Sequence, residues 1–300
     1  MTELVNCFDW SKHEIISVIG SGGKTSLINY LAKSFSREKV LVSTTTKILL
    51  PKKEEYDVLW LNPYCQNEKK MMSSPQRRFD EDENPKRDAG GDKVFYREKV
   101  DGATGIVITG DEILMDGIPK LQMPKRAEFI RSFEQFDKVI LESDGSKGLL
   151  LKGWEDFEPV VLPETTVTIG VIPISAIGKP ATKGYIHRLS LWLKLVEEDE
   201  RALISNDNDC ADKGNADKDE EEAPLITKEN IVQMIVSENG LWKEARGDKI
   251  LYFSQVEDEE QLKLAKEIIG LLPKECKEKM TKIIGGTVRE GKGTILYQNK

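Results

Sequence analysis

Residues 14–26 read Glu-Ile-Ile-Ser-Val-Ile-Gly-Ser-Gly-Gly-Lys-Thr-Ser, and this stretch predicts how the rest of the chain is arranged. The short apolar run from Ile15 to Ile19 is typical of a buried strand. It ends at a glycine turn, and apolar residues recur at helical spacing after Thr25. We therefore predict a strand, a glycine-rich turn and a helix in immediate succession, which is the architecture of a P-loop.

Each residue type in the turn suits a bound phosphate group. Glycines let backbone N–H groups curl around phosphate oxygens without a side-chain clash, and the following helix adds its dipole and free N–H groups. We expect Lys24 to reach the β- and γ-phosphates and the Thr25 hydroxyl to ligate Mg²⁺. The expected cofactors are ATP or GTP with Mg²⁺. The candidate nucleotide-binding residues of this segment are Gly20, Ser21, Gly22, Gly23, Lys24, Thr25 and Ser26.

The motif is shorter than the usual P-loop. The usual spacing has a further glycine at the position of Val18, so Gly-x-x-Gly-Lys-Thr remains, the compact version of Mur-ligase-type enzymes. It is not a dinucleotide fingerprint, because the third glycine of that pattern would fall on Thr25. The alternative interpretation is a glycine turn that carries a solvated lysine.

A second predicted strand, Lys39 to Ser43, brings hydroxyl groups towards the same place. A strand–helix–strand order with a compact crossover implies a parallel sheet and a right-handed connection. The strand ends in a hydroxyl-rich run that could ligate Mg²⁺ through water or bind the γ-phosphate, although threonine also simply suits strands. The candidate residues are Thr44, Thr45, Thr46 and Lys47.

A third predicted strand, Lys138 to Glu142, is placed beside the first and ends in Glu-Ser-Asp-Gly-Ser-Lys-Gly. P-loop proteins keep a Mg²⁺-supporting carboxylate at this position, and one acid is enough because Mg²⁺ retains waters. Asp144 is our first choice for it; Glu142 is the second, and could instead orient an attacking water. Lys147 could contact phosphate. An acidic β-turn is the alternative. The catalytic candidates are Lys24, Asp144 and Glu142, and the metal candidates are Thr25 and Asp144.

Later segments offer weaker candidates. Arg188, near a predicted helix start, could clamp a phosphate, and His187 could serve as an acid, a base or a ligand. A structural role is the alternative for both. Gln255 and Asp258 loosely resemble the base-reading Asn-Lys-x-Asp motif of P-loop GTPases.

Other local patterns predict connecting elements. Two short strands, 105–109 and 113–115, are predicted around a turn at Gly110-Asp111, and 126–136 is predicted as a helix. Thr227 is predicted to cap a helix without forming a full capping box.

Composition limits the class of protein. The formal net charge of -8 argues against a nucleic-acid partner. Four scattered cysteines without a C-x-x-C pair indicate reduced thiols, a cytoplasmic location and no zinc site. The first residues do not resemble a signal peptide, and no apolar run predicts a membrane span.

The expected fold class is α/β, a P-loop NTPase-like three-layer sandwich with a mostly parallel central sheet. We expect one domain over 1–300. Two polar segments are predicted as insertions without fixed structure, a mobile one at 62–93 and an acidic, disordered loop at 197–223.

Three stretches, Val18–Thr25, Ser43–Ile48 and Glu142–Gly148, resemble the selenium-dependent hydroxylase accessory family, the YqeC-type selenium cofactor biosynthesis proteins. The chain departs from the family pattern at Ser143, where an alanine is usual. The resemblance implies a nucleotide-dependent accessory protein that matures a selenium- or molybdenum-containing hydroxylase. Its implied partners are that hydroxylase or another maturation factor.

Three functions remain open at this stage. The first is an accessory protein that hydrolyses its nucleotide. The second is a kinase- or ligase-like enzyme that acts on a small molecule. The third is a carrier that binds nucleotide without turning it over. No residue pattern in the chain indicates selenium chemistry.

Overall fold

A computed structural model describes residues 1–12, 14–62, 105–115, 117–203 and 223–299. The strands are β1 (Thr2–Glu3), β2 (Ile15–Gly20), β3 (Lys39–Thr44), β4 (Lys47–Leu49), β5 (Val58–Asn62), β6 (Gly105–Met115), β7 (Ile118–Gln122), β8 (Lys138–Glu142), β9 (Leu151–Lys152), β10 (Val167–Pro173), β11 (Ile186–His187), β12 (Asp248–Ser254), β13 (Lys282–Thr287) and β14 (Lys292–Gln298). The α-helices are α1 (Lys24–Ser34), α2 (Arg126–Ser132), α3 (Leu189–Leu203), α4 (Lys228–Val236), α5 (Glu259–Leu271) and α6 (Lys274–Glu278).

One large sheet has the strand order β1-β14-β13-β12-β10-β2-β8-β3-β6-β7-β4, and β5 pairs with β6. From β13 to β6 every neighbouring pair is parallel, as is the β5–β6 pair. The outer pairs, which involve β1, β14, β7 and β4, are antiparallel. The predicted mixed α/β fold with a mostly parallel central sheet is thereby confirmed. Strands β9 and β11 form a separate parallel pair.

The central strands are apolar because both of their faces are covered. In β3, Val40 and Val42 pack in the same cluster as Leu27 and Leu31 of α1. Leu41, which points to the other face, packs instead with Phe129 of α2. Crossover helices such as α1 and α2 connect parallel strands. Because the strands are parallel, the carboxyl ends of the strands lie at the same edge of the sheet.

The predicted positions of the three motif-bearing strands are confirmed. Strand β8 lies directly beside β2, with Ile140 opposite Ile16 and Glu142 opposite Val18. On its other side β8 pairs with β3, where Thr44 lies opposite Glu142. The glycine turn, the hydroxyl run and the acidic turn consequently share one edge of the sheet.

Two local predictions were wrong. The region from 105 to 115 is one continuous strand, because Asp111 is buried and lies opposite Gln122 in the β6–β7 ladder. The chain reverses instead next to Gly117, whose φ of 77° suits glycine. The helix predicted over 126–136 ends at Ser132 and continues as a single 3₁₀ turn to Gln135.

The capping of α4 also differs from the prediction. The Thr227 N–H donates to Asn230 Oδ1 at 2.9 Å, and the Asn230 N–H donates to Thr227 Oγ1 at 3.2 Å. This is a full capping box, because the asparagine amide oxygen takes the accepting role that glutamate or glutamine usually fills.

The two polar segments fall largely outside the described residues. Of the insertion predicted over 62–93, the structure describes only Asn62, the last residue of β5. Helix α3 continues to Leu203, beyond the start predicted for the acidic loop at 197, so the helix ends later than the sequence indicated. Of the four cysteines, Cys7 and Cys276 are described and carry free thiols. In the described part of the chain, no helix is both long and apolar enough to cross a membrane.

Candidate functional site

The turn between β2 and α1 has a backbone that only glycine adopts easily. Gly20, Gly22 and Gly23 have φ values of 95°, 64° and 132°. A Cβ atom added to Gly20 would lie 2.2 Å from the carbonyl oxygen of Val171, and one added to Gly22 would lie 2.2 Å from Cγ of Pro173. The glycines therefore allow the loop to approach β10 closely.

Two hydrogen bonds fasten this loop to neighbouring strands. The Ser21 N–H donates to the carbonyl oxygen of Val171 in β10 at 3.0 Å. The Ser254 hydroxyl, at the end of β12, donates to the carbonyl oxygen of Gly22 at 2.7 Å. The loop is consequently a fixed part of the sheet edge. Sequence reasoning missed Ser254, because nothing in its local pattern distinguishes it from other strand-end serines.

Lys24 is the first residue of α1, and its side chain is buried. Its Nζ donates to the carbonyl oxygen of Gly20 at 2.7 Å and to Ser146 Oγ at 3.3 Å. It also lies 3.2 Å from Asp144 Oδ1 and 3.7 Å from Glu142 Oε1. Burial alone would lower the pKa of this ammonium, but attraction by Asp144 and then Glu142 outweighs burial and raises it. Lys24 is therefore a cation in the folded protein.

Glu142 ends β8 and faces the start of α1. The Thr25 hydroxyl donates to Glu142 Oε2 at 3.1 Å. Burial raises the pKa of Glu142, Lys24 opposes that effect, and the negative charge of Asp144 adds to it. A helix-start hydroxyl and a strand-end carboxylate thus meet at one point, as a Mg²⁺ site of the P-loop type requires.

Asp144 is fully buried and surrounded by protein donors. Its Oδ2 accepts from the Gly20 N–H at 3.0 Å and from Trp154 Nε1 at 3.1 Å, and lies 3.4 Å from Lys152 Nζ. Its other oxygen faces Lys24. Burial would raise the pKa of this carboxyl, but Lys24 and Lys152 together hold it below its usual value. Asp144 is therefore an anion that fixes both the glycine loop and Lys24.

A chain of buried charges that sequence reasoning missed extends from Asp144. Lys152 has no exposed surface; its Nζ donates to the carbonyl oxygen of Gly145 at 2.7 Å and to Glu158 Oε2 at 3.0 Å. Glu158 accepts in turn from Arg188 at 2.6 Å. The available signal was a single lysine between the apolar residues Leu151 and Trp154, a pattern that indicates a buried, paired charge.

Arg188 and His187 lie at the far end of this chain of charges. Arg188 has a left-handed φ of 55° and pairs with Glu155 at 3.1 Å as well as with Glu158. The half-buried His187 has its pKa lowered to about 4 by burial and then by Arg188, Lys152 and Lys147. Its imidazole is therefore neutral near pH 7. Lys147 is exposed, with a left-handed φ of 51°.

The hydroxyl run at the end of β3 divides into two parts. The Thr44 hydroxyl donates to the carbonyl oxygen of Glu142 at 2.9 Å, and the Thr45 hydroxyl donates to that of Val160 at 2.6 Å. Both hydroxyls are thus occupied in joining neighbouring backbone segments. Thr46 is half-buried and Lys47 is exposed.

Gln255 and Asp258, which loosely resemble a base-reading motif, form hydrogen bonds within the protein. Asp258 caps α5, because its Oδ1 accepts from the Gln261 N–H at 2.8 Å. Gln255, with a left-handed φ of 62°, accepts a hydrogen bond from the Ser175 hydroxyl. Gln255 directly follows Ser254, so it lies next to the glycine loop.

The residues at this edge suit a phosphate and a Mg²⁺ ion that keeps most of its waters. At this edge the buried Oγ atoms of Ser21 and Ser143 and the Asp144 Oδ1 have no hydrogen-bond partner within the described ranges. The part of the chain that the structure describes holds no group of three or more His, Cys, Asp or Glu side chains placed to bind a metal. A hydroxyl and one carboxylate are nevertheless sufficient for Mg²⁺.

A sequence profile of the YqeC protein family matches residues 16–190, more than half of the chain, and the chain therefore belongs to the YqeC family. The chain is also 26% identical over 178 residues to the Uncharacterized protein YqeC of Escherichia coli (strain K12). This alignment covers 59% of the chain and 58% of the relative. No solved structure matches the chain significantly. The matched region includes the glycine loop, the hydroxyl run and the acidic turn, so the membership of the YqeC family expected from these stretches is confirmed.

Proposed function

We propose that the protein binds the Mg²⁺ complex of ATP or GTP at residues 20–26, in a P-loop NTPase-like domain with helices on both faces of its sheet. One observation carries the proposal. Lys24, Thr25 and the carboxylate that ends the neighbouring parallel strand meet at a glycine loop whose backbone is fixed from two sides. Phosphates bind where such a loop opens a helix.

In this proposal the loop N–H groups and Lys24 bind the β- and γ-phosphates, and Ser26 lies in the first helical turn beside them. The Lys24 ammonium is already held at the site by acids, and it would exchange part of these contacts for phosphate oxygens. When bound, Mg²⁺ would offset phosphate charge. Lys147 and Arg188 are candidate phosphate contacts from the same sheet edge, although Arg188 is paired with Glu155 and Glu158 here.

We further propose that Glu142, rather than Asp144, supports the metal together with Thr25. Glu142 keeps some exposure and already accepts from the Thr25 hydroxyl. Asp144 has none; its Oδ2 accepts from Gly20 and Trp154 and lies near Lys152, and its Oδ1 lies 3.2 Å from Lys24 but accepts no hydrogen bond from the described residues. Withdrawing Asp144 would uncover two buried cations, which is costly. Asp144 would thus position the loop, and Glu142 would hold the metal through a direct or water-mediated contact.

The cellular role is proposed from the family resemblance. We infer a cytoplasmic accessory protein that uses nucleotide to mature a selenium-dependent molybdenum hydroxylase, acting on that enzyme or on another maturation factor. The geometry of the glycine loop supports nucleotide binding. The selenium part therefore rests on the resemblance alone.

The test is equilibrium binding of MgATP and MgGTP, together with thermal melting. Nucleotide at a hundred times its dissociation constant should stabilise the folded state by about 2.7 kcal/mol, which corresponds to a melting shift of about 4 °C for a chain of this size. Lys24→Met should abolish binding, whereas Lys33→Met, an exposed change on the same helix, should not. Circular dichroism would confirm that both variants fold. Binding of neither nucleotide by the wild type, or equal binding by Lys24→Met, would refute the proposal.

A further inference from the structure

The charged side chains beside the glycine loop form a chain in which the sign alternates. Lys24 Nζ lies 3.2 Å from Asp144 Oδ1, and Asp144 Oδ2 lies 3.4 Å from Lys152 Nζ. Lys152 Nζ lies 3.0 Å from Glu158 Oε2, which lies 2.6 Å from Arg188 Nη1. All of these side chains except that of Arg188 are buried, so water screens the charges from one another only weakly.

The inner end of this chain of charges does not by itself favour an anion. The single ammonium of Lys24 faces two carboxylates, that of Asp144 at 3.2 Å and that of Glu142 at 3.7 Å. A phosphate group that binds at Lys24 would therefore approach an excess of negative charge. Lys152 offsets the charge of Asp144, because it lies against the carboxylate oxygen that does not face Lys24. The positive charge of Lys24 thereby stays available to a phosphate.

Glu158 has the opposite effect on the same site. It pairs with Lys152 and so offsets the positive charge of that lysine. Burial lowers the pKa of Lys24, whereas Asp144 and Glu142 raise it. Glu158 raises this pKa further, so its negative charge acts as far as Lys24, as is expected where the effective dielectric constant is low. A phosphate at Lys24 should therefore be repelled by Glu158 and attracted by Lys152.

We propose that Lys152 and Glu158 are positioning residues that change the affinity of the glycine loop for phosphate in opposite directions, Lys152 raising it and Glu158 lowering it. Neither residue contacts the nucleotide. Both act through Asp144, which accepts from the Gly20 N–H and pairs with Lys24. Glu158 also stabilises the fold, because the buried Lys152 would lose a carboxylate partner without it. This inference rests on the proposed function, since it names the residues behind that site which set its affinity.

The test compares the dissociation constants of MgATP and MgGTP for the full-length wild type, Lys152→Met, Glu158→Gln and the variant that carries both changes. We expect Lys152→Met to weaken binding about fivefold or more and Glu158→Gln to tighten it about threefold or more. The double variant should return close to the wild-type affinity, because it removes one charge of each sign. Both single changes should destabilise the fold, so a merely structural role would weaken binding in both. The uncharged control is Ile231→Ala, which removes buried apolar contacts of α4 and should leave the affinity unchanged.

Circular dichroism would show which variants fold. If Lys152→Met does not fold, tighter binding by Glu158→Gln, with a return to the wild-type affinity in the double variant, still supports the proposal. Binding by Glu158→Gln that is equal to or weaker than that of the wild type would overturn it, as would unchanged affinity in a folded Lys152→Met. Failure of the proposed function gives a different pattern, because the wild type would then bind neither nucleotide, which refutes the site itself and this inference with it.

Discussion

The Thr25 hydroxyl and the Glu142 carboxylate are joined by a hydrogen bond of 3.1 Å. This contact connects the first turn of α1 to the end of β8, and Lys24 lies 3.7 Å from the same carboxylate. A cation and a hydroxyl therefore converge on one acid that retains some access to solvent. Under the proposed function, Glu142 is therefore the acid whose loss should affect Mg²⁺ binding without unfolding the protein.

We predict that Glu142→Gln reduces the contribution of Mg²⁺ to nucleotide affinity about tenfold, which corresponds to about 1.4 kcal/mol. The amide keeps the size of the side chain and can still accept from Thr25, but it has no charge for the metal. The measurement is nucleotide affinity with and without Mg²⁺, with the exposed change Glu54→Gln as control. If Mg²⁺ dependence survives in Glu142→Gln and disappears in a folded Asp144→Asn, the metal role belongs to Asp144.

Asp144→Asn should instead destabilise the fold. The change removes the negative charge that lies between the Lys24 and Lys152 ammonium groups, both buried. Breaking a buried ion pair by removing one partner typically costs about 3–5 kcal/mol. Urea unfolding followed by tryptophan fluorescence measures the loss. The control is Asp156→Asn, an exposed acid whose nearest cation, on Lys243, is 3.9 Å away.

A double-mutant cycle tests whether Asp144 and Lys152 stabilise the fold through their interaction with each other. Lys152→Met should also destabilise, because it leaves Asp144 and Glu158 without a shared cation. The combination with Asp144→Asn should cost less than the two single changes added, since the second change removes a group already unpaired. Strict additivity would show that these charges do not act as a unit.

Asp258→Ala should lower stability by about 0.5–2 kcal/mol, because the Asp258 side chain caps α5. It should leave the ratio of ATP to GTP affinity unchanged, since this carboxylate already accepts from the helix at Gln261. The measurements are urea unfolding and competition between the two nucleotides. A changed nucleotide preference with unchanged stability would instead support the base-reading role that the sequence suggested.

Much of the fold was readable from the sequence because local pattern and burial agree there. The apolar runs that became β2, β3 and β8 are buried, and Gly20, Gly22 and Gly23 have the positive φ values expected of a glycine turn. The turn predicted at Gly110-Asp111 was wrong because turn-forming residues can lie within a strand when they pair with a neighbouring strand. Pairing with β7 supplies that ladder, and no local pattern reveals it.

The site was readable to a smaller extent. Lys24, Thr25, Glu142 and Asp144 were predicted together, and the structure brings them together. Which of the two acids is free to bind a metal depends on partners that lie outside the acidic turn itself. Trp154 donates a hydrogen bond to Asp144 and Lys152 pairs with it, and nothing in the acidic turn itself predicts these two contacts.

The pKa of His187 predicts a dependence of stability on pH. It is lowered to about 4 in the folded protein, by burial first and then by Arg188, Lys152 and Lys147, against about 6.5 in the unfolded chain. Above pH 6.5 the imidazole is neutral in both states and contributes no pH dependence. Between pH 6.5 and 4 the unfolded chain binds a proton that the folded protein does not, so stability falls as pH falls. Below pH 4 both states are protonated, and the loss from this group is complete.

We expect His187→Gln to flatten the fall of stability between pH 6.5 and 4, since glutamine does not titrate. The free energy of unfolding of the two proteins, measured in urea across that window, tests the slope. An NMR titration of the His187 imidazole tests the cause directly and should show a midpoint near 4. Arg188→Gln, which removes the cation that lowers the pKa of His187 most, should move that midpoint upward if the fold is kept. A wild-type midpoint near 6.5 would show that neither burial nor these cations act on His187, and would contradict the placement of His187 beside Arg188 and Lys152.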